Sequence, residues 1–155
     1  MPLQFDRDNP SAMVGQTLGP TPWFQVTQAQ INQFASCTHD EQFIHVDPGR
    51  AAKTPLGSTI AHGFLTLSLL SMFAQQFDVV IDGLQMGVNY GFNKVRFLTP
   101  VKVDSRVRAV AQVVDVIEKE PNQFQFTLDV SIEIEGEEKP ALIAQWINQN
   151  ILAPR

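Results

Sequence analysis

Apolar positions recur at helical spacing in the first half of the chain and at every second residue in the other half. Residues 1–16 carry little pattern and read as a loose lead-in. Trp23-Phe-Gln-Val26, after Pro20 and Pro22, reads as a short strand. Thr27 with Gln30 matches a capping box, and Ile31, Phe34 and Ala35 follow on one helical face. A helix is predicted from there to about Cys37 or Thr38. From His39 to Ser58 the pattern is irregular, apart from Asp47-Pro48. That pair suits an N-cap and first helical position, and predicts a short helix through Lys53 that Pro55 and Gly57 break. Phe64 to Phe77 is dominated by Leu, Met, Ala and Phe with few β-branched residues, which favours one long helix. Its apolar residues lie on nearly every face, so it must be buried on most sides.

From Leu84 the period becomes two. Met86, Val88, Tyr90 and Phe92 alternate, then Val95 and Phe97 continue on the other parity, which predicts a β-bulge near Asn93-Lys94. Val101, Val103, Val107, Ala109, Ala111 and Val113 extend a strand on odd positions. Asp115 to Asn122, with Pro121, reads as a hairpin connection. Phe124, Phe126, Leu128, Val130, Ile132 and Ile134 form the clearest strand; Glu135-Gly-Glu-Glu138 is a turn, and Ala141 to Leu152 a last strand. A curved antiparallel sheet wrapped around one apolar helix satisfies this order, each burying the other's apolar surface. The expected fold is α+β, of the hot-dog type, as a single domain over residues 1–155. Such a sheet has exposed edges, and pairing through an edge hides one, so a homodimer is expected.

Composition narrows the partners. The 155 residues carry a net charge of −5 with no Lys/Arg cluster, which argues against nucleic acid. No apolar run is long enough to span a bilayer, and the N-terminus lacks a signal-peptide pattern. Cys37 is the only cysteine, so an intrachain disulfide is excluded and a reducing cytoplasm fits. Its place at the end of an amphipathic helix suggests a small buried residue rather than a nucleophile.

The chemistry concentrates in Thr38-His-Asp-Glu-Gln-Phe-Ile-His45 and in His62-Gly63. Adding water to a C=C conjugated with a carbonyl needs three groups. A base must take the proton from water, an acid must protonate C2, and donors must hold the enolate-like oxygen. Histidine, with a free pKa of about 6.5, suits the first role; aspartate can hold the water or serve as the acid if its surroundings favour the protonated form. Backbone N–H groups at the start of the helix after Gly63 suit the third, and glycine lets a thioester oxygen come close. Asp40 and His45 alone could equally be solvated or capping residues, and His62 a satisfied core or capping histidine. Asp47 reads as an N-cap and His39 as exposed. A metal site from His39, Asp40, His45 and His62 matches no ligand-spacing motif. Ser68 and Ser71 are able to bond back to helix carbonyls, although Ser71 is also able to face the site.

These residues resemble the MaoC-like dehydratases, the (R)-specific enoyl-CoA hydratases, in the branch of the nodulation protein N-like proteins. Phe34, Thr38, Asp40, Ile44, His45 and Ala51 match the family's hydratase motif. His39, Gln42 and Phe43 depart from it, standing where Gly, Asn and Pro are usual. Ala61-His-Gly-Phe-Leu-Thr-Leu-Ser-Leu-Leu-Ser71 and the segment Gly87 to Val101 also resemble the family, so the likeness spans roughly residues 16 to 152. The resemblance implies a hot-dog fold and a catalytic pair of Asp40 and His45. It further implies Gly63 as oxyanion donor, and Ser71, Gln42 and His62 join it as the candidate oxyanion or substrate-binding residues. The implied reaction is reversible syn addition of water to an enoyl thioester of CoA or acyl carrier protein, giving a (3R)-hydroxyacyl thioester. No metal or redox cofactor is implied. A hot-dog thioesterase and a non-catalytic acyl-thioester binding subunit are the alternatives. Fatty-acid, polyester and signal-lipid synthesis would all use this chemistry.

Overall fold

Phe124, Phe126, Leu128, Val130, Ile132 and Ile134 are all buried to 5% exposure or less, with polar side chains between them. Their strand is the middle of the sheet. The computed structural model describes residues 1–155. The elements run β1 (Leu3–Phe5), a 3-10 turn (Pro10–Met13), β2 (Thr17–Leu18), β3 (Phe24–Gln25), α1 (Gln28–Thr38), α2 (Phe43–Val46) and α3 (Pro48–Ala51). Then follow α4 (Gly63–Ser68), α5 (Leu70–Ala74), β4 (Val79–Ile81), β5 (Leu84–Phe97), β6 (Arg106–Glu120), β7 (Gln123–Ile134) and β8 (Leu142–Leu152).

The large sheet has the order β2-β6-β7-β8-β5 and is antiparallel throughout, with β3 also on β6. β2 and β3 cover one flank at Ala111 and Val107, whereas β5 is a free edge. The inward side chains of β6, β7 and β8 form one core with Leu70 and Phe73 of α5. This is the expected α+β arrangement, with the helical segment filling the sheet's apolar face.

Several expectations change in detail. The single long helix is two short ones. At Leu69 the amide is shared between the carbonyls of Leu65 and Thr66, both at 3.2 Å, so the helix tightens for one turn. The strand expected from Val101 begins only at Arg106, because Asp104 has φ of 67° and turns the chain. The connection expected over Asp115–Asn122 is mostly strand, since β6 runs to Glu120 through register shifts and only Pro121 and Asn122 turn. The patternless lead-in is also structured. β1 pairs in parallel with β4, and Phe5 packs edge-on against Phe124 at 5.0 Å. Its three residues are too short for a period to show.

In β5 the bulge expected near Asn93 is present as a register shift between Phe92 and Lys94, but further shifts fall between Leu84 and Met86 and between Asn89 and Gly91. The second breaks the alternation around Tyr90. Asn89 and Phe92 pair with Asn148 and Trp146, while Met86 and Val88 pair with Ile151 and Gln149. Paired residues share a face, so Met86 and Val88 lie on the side of the sheet opposite Trp146 and Phe92.

Candidate active site

α1 starts as expected. Thr27 accepts from the Gln30 amide at 3.3 Å, and Gln30 Oε1 accepts from the Thr27 amide at 2.9 Å. It ends at His39, whose φ of 62° is left-handed. That conformation favours glycine, which explains why glycine is usual at this position, and histidine is among the residues that tolerate it. The left-handed step turns the chain into Asp40. The Gln42 amide donates weakly to Asp40 Oδ1 at 3.5 Å, and the one-turn α2 then carries His45 inward. The sequence pattern did not show α2, because four residues are too few for a period. Ala51 is fully buried, so a larger residue has no room there. Phe43, in the place of the usual proline, lies beneath the Arg50 guanidinium at 4.3 Å.

Three hydrogen bonds fix His45 and its neighbour Ile44. His45 Nδ1–H donates to the Ile60 carbonyl at 2.7 Å, Gln28 Nε2 donates to the His45 carbonyl at 2.7 Å, and the Ile60 amide donates to the Ile44 carbonyl at 3.0 Å. A carbonyl only accepts, so Nδ1 carries the hydrogen and the neutral ring keeps its lone pair on Nε2. Gln28 also accepts from the Thr59 hydroxyl and so ties α1 to both sides of the site. Gln28 and Thr59 had no distinguishing signal in the sequence. Burial pushes the His45 imidazole below its ordinary 6.5. The Ile60 hydrogen bond opposes that, His62 adds to it, and Asp40 opposes it again.

His62 is 3% exposed and its ring stacks on His45, with centroids 3.8 Å apart and planes 22° from parallel. Its ring also meets Phe34, with centroids 4.9 Å apart. Its Nε2–H donates to the Asp40 backbone carbonyl at 2.9 Å. The side-chain donor atoms of Asp40, His45 and His62 lie within 4.8 Å of one another. Each imidazole donates one N–H to a carbonyl and keeps the other nitrogen free, and the nearly parallel rings direct those two lone pairs side by side rather than at one point about 2.1 Å from both.

Gly63 follows His62 at the head of α4. The amides of Gly63, Phe64 and Leu65 donate to no protein acceptor. A Cβ at Gly63 would meet the Phe97 ring at 3.0 Å, so a side chain there requires that ring to give by a few tenths of an ångström. Gly63 and Phe97 line a 260 Å³ cavity with Thr66, Leu98 and Val101. Asp40, Gln42 and Gly63 are exposed, and the Gln42 side chain makes no hydrogen bond. Ser71 stands apart, eight residues and about 12 Å along the helical rise from Gly63. Its hydroxyl accepts from Asn89 Nδ2 at 3.5 Å and borders a separate 540 Å³ groove with Ala74, Phe77 and Trp146. Ser68 bonds back to the Phe64 carbonyl at 2.7 Å, as a helical serine can. Cys37, expected to be buried, is exposed and donates to the Phe34 carbonyl, because it lies on the outer face of α1. His39 is exposed as expected. No helix of the chain is long and apolar enough to cross a membrane.

Residues 9–134 match the family described as MaoC like domain. The chain is 48% identical over 138 residues to Nodulation protein N of Rhizobium meliloti, covering 88% of this chain and 86% of that protein. It is 46% identical over 137 residues to 3-hydroxyacyl-thioester dehydratase Z of Mycobacterium tuberculosis, covering 88% and 90%. Among solved structures, an (R)-hydratase from A. caviae involved in PHA biosynthesis superimposes with a TM-score of 0.71 at 26% identity, over 90% of this chain and 96% of that one.

Proposed function

The chain belongs to the MaoC-like domain family, and from that premise we propose that it is a hydro-lyase. It adds water reversibly to a trans-2-enoyl thioester of CoA or acyl carrier protein, yielding a (3R)-hydroxyacyl thioester. The observation that carries this reading is the His45 imidazole. It is buried, its tautomer is set by the Ile60 carbonyl so that Nε2 keeps its lone pair, and a ring nitrogen lies within 4.8 Å of an Asp40 carboxylate oxygen.

In the proposed reaction a water molecule is held between Asp40 and His45. Its O–H bond breaks toward His45 Nε2 as its oxygen bonds to C3. The C2=C3 pair moves toward the carbonyl, and the resulting enolate oxygen accepts from the Gly63 amide, which has no other partner. The imidazolium then returns the proton to C2 on the face from which water came. Water is thus consumed whole and no metal or redox group takes part. Gln42 shapes the turn between the two catalytic groups through its backbone: its amide meets Asp40 and its carbonyl accepts from the His45 amide at 2.9 Å. Ser71 supports the helix side of the neighbouring groove. The same reading places the protein in the cytoplasm as a homodimer. The exposed β5 edge and the exposed Asp40 support a second copy beside the site.

Crotonyl-CoA tests the reading. Absorbance of the conjugated thioester should fall without release of free thiol, and Asp40→Asn or His45→Gln should each slow this by several orders of magnitude. Thiol release would mark a thioesterase, and near-normal turnover in both variants would remove the pair from the mechanism. The lowered His45 value has a sign that is measurable. The acid limb of kcat/KM should lie below pH 6.5, because the base stays unprotonated until then. Between 6.5 and the lowered value the unfolded chain binds more protons at His45 than the folded one. Stability should therefore decline as pH falls through that window, and His45→Gln should flatten that part of the decline in denaturant midpoints.

A further inference from the structure

His62 has one buried ring nitrogen with a task and one without. Nε2–H serves the Asp40 carbonyl, so Nδ1 is a bare acceptor, and that atom is buried with no hydrogen-bond partner. It is the only such buried side-chain atom in the protein. A buried acceptor left unpaired is destabilising, so a plain packing role would be served better by Phe, Leu or Met. Two features of imidazole that those residues do not combine are in use here. One is a donor aimed at the backbone of the residue that carries the site's carboxylate. The other is a flat ring lying 3.8 Å from the His45 ring.

We propose that His62 is a positioning residue that holds both halves of the catalytic pair at once. Its N–H clamps the Asp40 turn, and its ring face sets the plane of His45. The proposal rests on the hydratase reading for its effect on rate, but the clamp itself is independent of substrate. The left-handed step at His39 leaves Asp40 on an exposed turn, with only the weak Gln42 amide contact on its carboxylate. The hydrogen bond from His62, the buried residue that precedes α4, is therefore the one hydrogen bond that ties this turn to that helix. Stacking blocks rotation of the His45 ring about an axis that the Ile60 hydrogen bond alone leaves free. It also leaves His45 Nε2, the proposed base, in the ring plane and open to water. The titratable groups that act on His45 are His62 and Asp40. α1 contributes Gln28 and the segment before α4 contributes the Ile60 carbonyl, neither of which titrates.

Three variants separate the two contributions. His62→Phe keeps the ring and removes the donor. His62→Gln keeps a donor and removes the ring. His62→Ala removes both. With crotonyl-CoA, Phe and Gln should each lower kcat about 10-fold to 100-fold with KM changed less than about threefold, and Ala should lower it further, as expected for misplaced rather than missing groups. Nitrogen-15 NMR of the histidine rings, without substrate, should show the Nδ1–H tautomer at His45 and the Nε2–H tautomer at His62 in the parent. In His62→Phe the His45 titration should move upward, because the neighbouring imidazole is gone. The proposal is overturned if the variants keep the parental kcat and His45 titration. It is equally overturned if kcat in all three falls only in step with melting temperature and the NMR is unchanged. If the parent itself does not hydrate crotonyl-CoA, the hydratase reading fails, and the NMR result alone decides the clamp.

Discussion

β7 and β5 begin as similar sequences and end as opposite environments. Both offer long runs of alternating apolar residues. In β7 the alternation runs unbroken against β8, and each of its six apolar side chains is nearly sealed from water. In β5, Met86, Val88 and Tyr90 are 52%, 45% and 65% exposed, and the register slips three times. β7 has a strand on each side and the helical layer over its inner face. β5 has a strand on one side only. Alternation therefore marks a buried face only where register is continuous and something covers the strand; the pattern alone supplies neither.

The contrast is open to test at both strands. Phe124→Ala in β7 should destabilise the fold by about 3–5 kcal/mol, read as a lower denaturant midpoint, because a sealed cavity remains. An equal loss from Tyr90→Ala in β5 would erase the distinction. Asn89 is itself exposed but serves a buried partner, since its Oδ1 accepts from Trp146 Nε1 at 3.2 Å. Asn89→Ala should cost about 1–3 kcal/mol by stranding that indole N–H, more than any change at the outward Val88. Val88→Lys with Tyr90→Lys should alter folding of the chain by only about 0.5 kcal/mol. The pair should nevertheless reduce the mass seen by light scattering to that of one 17.3 kDa chain, if β5 is where two copies meet. An unchanged mass would place the pairing elsewhere.

The same contrast explains what could be read in advance. The capping box at Thr27, the Asp47 cap, the core of β7 and the bulge before Lys94 each follow from chemistry within a few residues, and each is present. The paired Asp40 and His45 were legible as residue types at a spacing. The contacts that hold them in place were not. Gln28, Thr59 and the Ile60 carbonyl arrive from distant parts of the chain, and nothing local distinguishes them. The stacking of His62 on His45 is of the same kind. Ser71 illustrates the reverse: helical position suggested it could face the site, yet its hydroxyl meets Asn89 across a different groove. The turn at Asp104 escaped notice because Val101 and Val103 continue the odd-numbered pattern straight through it.

The three register slips of β5 bear on what happens while the chain is still crowded among unfolded neighbours. A long regular edge would accept almost any extended segment that drifted against it, and aggregation would compete with assembly. An edge with offsets at Leu84/Met86, Asn89/Gly91 and Phe92/Lys94 accepts a newcomer in register only if that strand carries matching offsets. The irregularity that hid the face of β5 from the sequence pattern thus shortens the regular edge open to a foreign segment.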